Sequence, residues 1–367
     1  MGEAVKPLAQ QQFIEALYAF VGAGADEQVD SRGSGHINDT FMMSNHGIVL
    51  QRINTDIFSH PQQVLENIVK VTDHIRKALV REGKDPETGT LRLLETKDGD
   101  VGFIDSEGDW WRAYRLIAPS LSFDKVQSPH DFYNSGRAFG HFQKQLADFP
   151  AASLHETIPH FHDTRKRFGD FQAAVEEDAA GRAGDVQDEI RFVLDREDVA
   201  RYFSERLDAG DLPLRVTHND TKLNNVLFDA ETGEPSAVID LDTVMPGLAI
   251  FDYGDSIRFG ASTGLEDEPD LSKVWLDLEL FDVYTKGFLE GCEGTLSEAE
   301  LDDMAMAAKV MTYECGMRFL ADHLQGDLYF KVSRPNHNLD RARTQFKLVA
   351  DMETKWDKMR EIVAKYR

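Results

Sequence analysis

The sequence predicts an α+β fold of two lobes, a small antiparallel sheet first and a larger, mostly helical lobe after it. Three observations carry this expectation. Strand and hairpin signals crowd the first 117 residues, they stop after Leu116-Ile117-Ala118-Pro119, and helical spacing dominates from residue 129 onward, broken chiefly by residues 214–242. A hinge near 116–119 therefore divides residues 1–117 from 118–367.

Leu8, Phe13, Ile14, Leu17, Phe20 and Val21 recur at helical spacing and predict an opening helix over 8–22. In residues 31–41 two glycines and small polar residues precede a strand at 40–43, a turn that lets backbone approach a ligand. Asn45-His46-Gly47 turns the chain into a second strand over 48–52. Val64, Ile68, Val71, Ile75 and Leu79 share one stripe of a helix over 61–82. Segments 91–95, 101–104 and 110–117 read as strands joined at Asp98-Gly99 and Glu107-Gly108, completing a five-stranded sheet.

Residues 129–207 are helical in pattern, with Phe132, Ala138, Phe139, Phe142 and Leu146 on one buried stripe. Further helices are expected over 271–289, 297–324 and 340–366, the second opened by a Ser297/Glu300 capping box. His155, His160, His162 and Asp163 bring imidazoles near a carboxylate. Pro159 marks a loop there, whereas zinc wants ligands on rigid elements, so the cluster is not read as a metal site.

The 367 residues are 41% hydrophobic and 10% aromatic, ordinary for a folded globular chain. Forty Lys and Arg against 65 Asp and Glu give a net charge of −25, which repels phosphate backbones and anionic headgroups. Neither nucleic acid nor membrane is expected as a partner; the oligomeric state is left open. An anionic nucleotide still binds where magnesium, backbone N–H groups and local cations set the field. Cys292 and Cys315 both sit in helical patterns, which argues against a disulfide framework. With no signal-peptide pattern in MGEAVKPLAQQQ and no long apolar run, a cytoplasmic protein is expected.

Residues 214–242, LRVTHNDTKLNNVLFDAETGEPSAVIDLD, carry three apolar runs with acids at their exits. His218, Asp220 and Asn225 form HxDxxxxN between two runs, and Ile239, Asp240, Leu241 and Asp242 end the third. Phosphoryl transfer to a hydroxyl needs a carboxylate at the acceptor proton and oxygen ligands for a hard cation. Asp220 is the candidate base, with Asn225 and Asp240 the candidate magnesium ligands. His218 is read as a prop for the loop rather than a catalytic group. Asp242, on one strand face with Asp240, is either a second metal ligand or a helix cap. Lys222 either neutralises a phosphate or points to solvent. Each acid or amide alone is an ordinary turn former, but the joint spacing points to a small-molecule kinase.

These residues resemble the aminoglycoside phosphotransferase and choline kinase superfamily, whose fold is protein-kinase-like. The resemblance is carried by GHIN at 35–38, THNDTKLNN at 217–225, IDLDTVMPG at 239–247 and FDYGDSIRFGAST at 251–263. ECGMRFLADHLQGDLYF at 314–330 and RARTQFKLV at 341–349 extend it over nearly the whole chain, and these later segments are similar to the N-acetylhexosamine 1-kinase branch. The resemblance implies ATP- and magnesium-dependent transfer to the anomeric C1 hydroxyl of N-acetylglucosamine or N-acetylgalactosamine. Asp220 is then the base and a substrate contact, with sugar contacts at His36, Arg318 and Tyr329. Residues 33–40 become the phosphate-side loop, with Ser34, Gly35, Thr40 and Gln51 at the nucleotide and Ile117 in the hinge beside adenine. Other acceptors, a different sugar or an amino alcohol, and a nucleotide-binding regulator without turnover are the alternatives.

One position departs from the kinase pattern. Kinase-like sheets usually place a lysine on the third strand to hold the α/β-phosphates, and here the matching run is Val49-Leu50-Gln51-Arg52. Gln51 falls on the lysine position and alternation points Arg52 the other way, so phosphate binding is expected to rest on Gln51, magnesium and the loop. The protein-kinase motifs HRD, DFG and APE do not occur.

Overall fold

The computed structural model describes residues 10–32 and 37–367. Its fold is α+β, a small antiparallel sheet followed by a larger helical region. The first part comprises α1 (Gln10–Phe20), β1 (Ser31–Arg32), β2 (Asp39–Met43), β3 (Ile48–Arg52), α2 (Pro61–Arg81), β4 (Phe103–Ile104) and β5 (Trp110–Arg115). The strands pair antiparallel in the order β1-β2-β3-β5-β4.

Strand alternation gives this sheet two different faces. Phe41, Met43, Ile48, Leu50, Trp111 and Ala113 pack with Phe13, Ala16 and Leu17 of α1. The opposite register positions are Thr40, Gln51 and Arg112, paired in sequence across β2, β3 and β5. Arg52 stays on the α1 face, bound to Asp39 and Asp109. The stripe of α2 does not complete the small core: Val64, Ile68, Val71, Ile75 and Leu79 join the core of the helical region.

The second part runs β6 (Ser120–Leu121), α3 (Pro129–Gln145), α4 (Thr164–Glu177), α5 (Gln187–Leu194), α6 (Glu197–Asp208), β7 (Arg215–Thr217), β8 (Val226–Asp229), β9 (Pro235–Val238) and β10 (Met245–Gly247). Helices α7 (Ala249–Gly260), α8 (Leu278–Cys292), α9 (Glu298–Gln325), α10 (His337–Thr354) and α11 (Trp356–Lys365) follow. Here β6 pairs β8, β8 pairs β9, and β7 pairs β10. The Ser297/Glu300 capping box opens α9, and the Glu300 carboxylate also takes Arg215 of β7 at 2.6 and 2.8 Å. No helix among the described residues is long and apolar enough to cross a membrane.

Several expected elements change. Residues 91–95 form a single bridge, Leu93 to Tyr114, because the segment leaves β5 for a turn in which Thr96 N–H binds Asp100 O. The fifth strand is instead β1. The helix expected from 271 starts only at Leu278, where the Asp277 carboxylate accepts the N–H groups of Glu279 and Leu280. The span 340–366 divides at Lys355, whose Nζ reaches Leu276 O and Asp351. Helix α7 had no predicted stripe, because its residues are buried almost all round and leave no polar face to mark the period.

Helices α3 and α8 meet backbone to backbone. Each carries two glycines one turn apart, Gly136 and Gly140 against Gly287 and Gly291, and a Cβ at Gly140 would lie 2.1 Å from Phe288 O. Any side chain there forces the helices apart. Gly140→Ala is expected to lower unfolding free energy by about 2–3 kcal/mol. Gly169→Ala, in α4 with open space around it, is expected to raise it by up to about 1 kcal/mol through helix propensity. Urea denaturation of the two variants checks both signs.

Candidate active site

Strand β7 delivers the loop that starts at His218, and α7 holds that loop from beneath. The Asp252 carboxylate, fully buried, accepts the N–H of His218 at 2.9 Å, the N–H of Asn219 at 2.8 Å and the Gln143 amide at 2.6 Å. Burial pushes the Asp252 carboxyl above its ordinary range, against the pull of His218, Asn219 and Gln143. One turn on, Asp255 accepts the Thr221 N–H at 3.1 Å and pairs with Arg258. Burial alone would raise Asp255, but Arg258, Lys222 and His162 hold it below the usual carboxylate range. Ser256 Oγ donates to Thr221 O and receives Tyr284 OH.

His218 is a prop by its hydrogen bonds. Its Nδ1 accepts the Asp220 N–H at 3.3 Å, which leaves the proton on Nε2, 2.8 Å from Ile239 O. The ring thus ties the loop to the end of β9, while Phe139 and Phe142 meet it edge on.

Asp220 is partly exposed, and its Oδ1 lies 2.8 Å from Lys222 Nζ. Lys222 is therefore neither free in solvent nor unpaired; it sits on the candidate base. Asn225 donates from Nδ2 to Asp220 O at 2.8 Å and more weakly to Asp220 Oδ2 at 3.3 Å. Its Oδ1 is left as an acceptor. Asp240 sits in a left-handed conformation, φ 60°, at the exit of β9. The surrounding protein and the like charges of Asp242 and Asp220 push its carboxyl up to about 6, against Arg112. The residue is nonetheless exposed to solvent, so the like-charge repulsion is what a bound cation would relieve.

That crowding and the free Asn225 oxygen suit a divalent cation. Asn225 Oδ1 and the Asp240 carboxylate are hard oxygen donors of the kind magnesium takes. No group of three His, Cys, Asp or Glu converges as a metal cage among the described residues. His155, His160 and His162 turn to separate carboxylates, Glu66, Asp163 and Glu314.

On the sheet side, Gln51 donates from Nε2 to Thr40 Oγ1 and accepts from Arg112 Nε, both at 2.9 Å. Arg112 NH1 lies 2.5 Å from Asp242 Oδ1, and Asn38 Nδ2 donates to Asp242 Oδ2 at 2.7 Å. Asp242 thus ties its loop to the sheet side through Arg112 and Asn38. Ile117 is buried in the core and its carbonyl accepts Ser120 Oγ. Ser34, Gly35 and His36 lie outside the described residues.

Arg318 and Tyr329 come together on another side of the loop. The Arg318 guanidinium lies 5.2 Å from the Phe161 ring, 5.9 Å from Tyr329 and 5.6 Å from Phe330, and it forms no salt bridge among the described residues. Tyr329 is 61% exposed, so it is no core aromatic. One turn before Arg318, Glu314 accepts His162 Nδ1 at 2.7 Å, and His162 Nε2 faces Asn219 O at 3.4 Å. This chain of contacts links the aromatic cluster to the residue preceding Asp220. A cavity of about 440 Å³ between Pro61, Glu66, Trp110 and His155 shares none of these residues.

Sequence reasoning missed Asp252, Asp255, Arg258 and Arg112. The first three stand in FDYGDSIRFGAST, where acids inside an apolar run were the available signal. Arg112 stands in a strand with no motif.

Residues 29–277 match the model of the phosphotransferase enzyme family. Among solved structures, the chain is similar to a microcompartment-associated aminopropanol kinase, at 15% identity and TM-score 0.63, covering 94% of this chain and 97% of that one. It is also similar to an aminoglycoside phosphotransferase from Alicyclobacillus acidocaldarius, at 12% identity, TM-score 0.60 and 99% of both chains. The amicoumacin kinase hAmiN, in complex with AMP-PNP and Ca²⁺, matches at 13% identity and TM-score 0.59 over 95% of this chain and 94% of its own.

Asp252→Asn would aim an amide NH₂ at the N–H donors of His218, Asn219 and Gln143. The variant is expected to lose about 3 kcal/mol of stability, the cost of breaking a buried charge-assisted network. Equilibrium denaturation measures it, and a loss below about 0.5 kcal/mol, the range of ordinary surface changes, would show that the loop does not hang from this carboxylate.

Proposed function

This chain belongs to the phosphotransferase enzyme family, and we propose that it is an ATP-dependent kinase acting on the anomeric hydroxyl of an N-acetylhexosamine, N-acetylglucosamine or N-acetylgalactosamine, to give the sugar 1-phosphate. The reaction class is supported by Asp220, Asn225 and Asp240 standing on one loop and the adjoining strand end, held by His218 and Asp252. The sheet-side lobe, residues 1–117, binds nucleotide, with Ser34, Gly35, Thr40 and Gln51 on the phosphate side and Ile117 in the hinge. Residues 118–367 hold the acceptor. A cytoplasmic setting supplies ATP and magnesium.

Asp220 accepts a hydrogen bond from the acceptor hydroxyl, aligns its oxygen with the transferring phosphorus and takes the proton late in transfer. Asn225 Oδ1 and the Asp240 carboxylate would hold a divalent cation, which when bound would screen the phosphate charge. Lys222, already at Asp220, keeps a positive charge beside the reacting oxygens.

The acceptor class is supported by one observation, the Arg318 guanidinium framed by Phe161, Tyr329 and Phe330. Aromatic faces suit the C–H face of a pyranose, and the fork suits a hydroxyl or an acetamido oxygen. An amino alcohol fits this cluster less well, because its ammonium would face an unpaired guanidinium. His36 completes the sugar contacts.

An ADP-release assay with both hexosamines, aminopropanol and choline reads the acceptor, and turnover is expected with the hexosamines alone. Turnover only with an amino alcohol sinks the sugar reading. Asp220→Asn is expected to lower kcat by about 10²- to 10⁴-fold with the sugar KM nearly kept, and unchanged kcat removes the base role. Arg318→Met is expected to raise the sugar KM about tenfold or more while leaving the ATP KM alone.

A further inference from the structure

A phosphoryl-transfer cleft holds a cation beside the α- and β-phosphates, and the third-strand position that usually supplies it is Gln51 here. Directly across from Gln51, on β5, stands Arg112. Gln51 Oε1 takes Arg112 Nε at 2.9 Å, and Gln51 Nε2 is itself fixed on Thr40 at 2.9 Å. The amide thus orients the guanidinium. It does not substitute for a lysine.

Arg112 is 1% exposed. Its NH1 meets Asp242 Oδ1 at 2.5 Å, in the loop that also carries Asp240, whose carboxyl feels the Arg112 charge. NH2 makes no hydrogen bond to a described residue. Two residues on, and on the same strand face, the Tyr114 ring lies 5.1 Å from the guanidinium carbon. The Tyr114 hydroxyl is buried without a hydrogen-bond partner among the described residues. The pairing of NH1 with Asp242 is an ion pair without a hydrogen bond, so NH1 and the Tyr114 hydroxyl are both buried without a hydrogen-bond partner among the described residues, which proteins avoid unless a ligand with acceptor oxygens completes them.

We propose that Arg112 is the phosphate-binding cation of this cleft, moved from the third strand to its neighbour, contacting the α/β-phosphate oxygens of the nucleotide with Gln51 as its strut. The inference rests on the kinase reading above and is independent of which acceptor is used. Because the same guanidinium holds Asp242, phosphate contact on the sheet side is coupled to the loop that presents Asp240.

The test is binding by calorimetry, with Mg·ADP and adenosine as separate probes and no acceptor present. Arg112→Gln is expected to weaken Mg·ADP by about 10- to 100-fold, the usual worth of a charge-assisted bond, and adenosine by less than about threefold, within one such bond's scatter. Gln51→Lys/Arg112→Gln, which returns the cation to β3, is expected to recover most of the Mg·ADP affinity. Should Arg112→Gln fail to fold, Arg112→Lys keeps Asp242 paired but shortens the reach, and it is expected to weaken Mg·ADP selectively. Equal loss for adenosine and Mg·ADP, or unchanged Mg·ADP affinity in the folded Arg112 variants, overturns the proposal. Wild-type protein that binds no Mg·ADP would instead defeat the kinase reading itself.

Discussion

The buried Asp252 carboxylate is the constraint on which the candidate catalytic loop depends. Where the loop leaves β7 it is neither helix nor strand, so its backbone donors there need partners from elsewhere. Asp252 satisfies those of His218 and Asn219 from α7, and Gln143 brings α3 to the same oxygens. A buried charge is tolerated only when it is fully hydrogen-bonded, and here the bonding partners are the loop itself. The close glycine contact between α3 and α8 fixes the helix that carries Gln143. The helical packing and the loop geometry are therefore one structure.

Across the cleft the charges follow a consistent plan. Asp220, Asp240 and Asp242 gather negative charge at the strand exits, and two cations are set against them. Lys222 takes Asp220 from within the loop, and Arg112 takes Asp242 from the opposite sheet. Asp240 alone keeps no close cationic partner among the described residues, and it is the carboxyl pushed up. The chain carries a net charge of −25, yet the field that a bound anion would meet here is set within a few ångströms by these groups.

Much of this site was legible before the structure. The order of strands then helices followed from hydrophobic period, and the HxDxxxxN spacing marked Asp220 and Asn225 because both lie in one short loop. For His218 the local half of the propping was readable, the bond from the Asp220 N–H two residues on, whereas its bond to Ile239 O, 21 residues away, was not. Boundaries were less legible. Residues 91–95 look like a strand in isolation, but a strand exists only where a partner edge stays alongside, and β5 is followed for a single bridge. Helix α7 escaped because a helix buried on every side shows no amphipathic period.

What the amino-acid order determined by itself was confined to short separations: the closeness of Asp220 and Asn225, the capping box of α9, and the two-faced alternation that sent Gln51 and Arg52 to opposite sides. Only the tertiary structure decided the pairings between distant segments. Gln51 and Arg112 are 61 residues apart, and His218 and Asp252 are 34 apart. Such pairs depend on strand register and helix docking, which are set by the collective burial of many side chains rather than by any local pattern. The sequence could therefore single out the candidate loop and show that the third strand lacks a lysine, but only the folded sheet could set Arg112 across from Gln51 and tie it to Asp242.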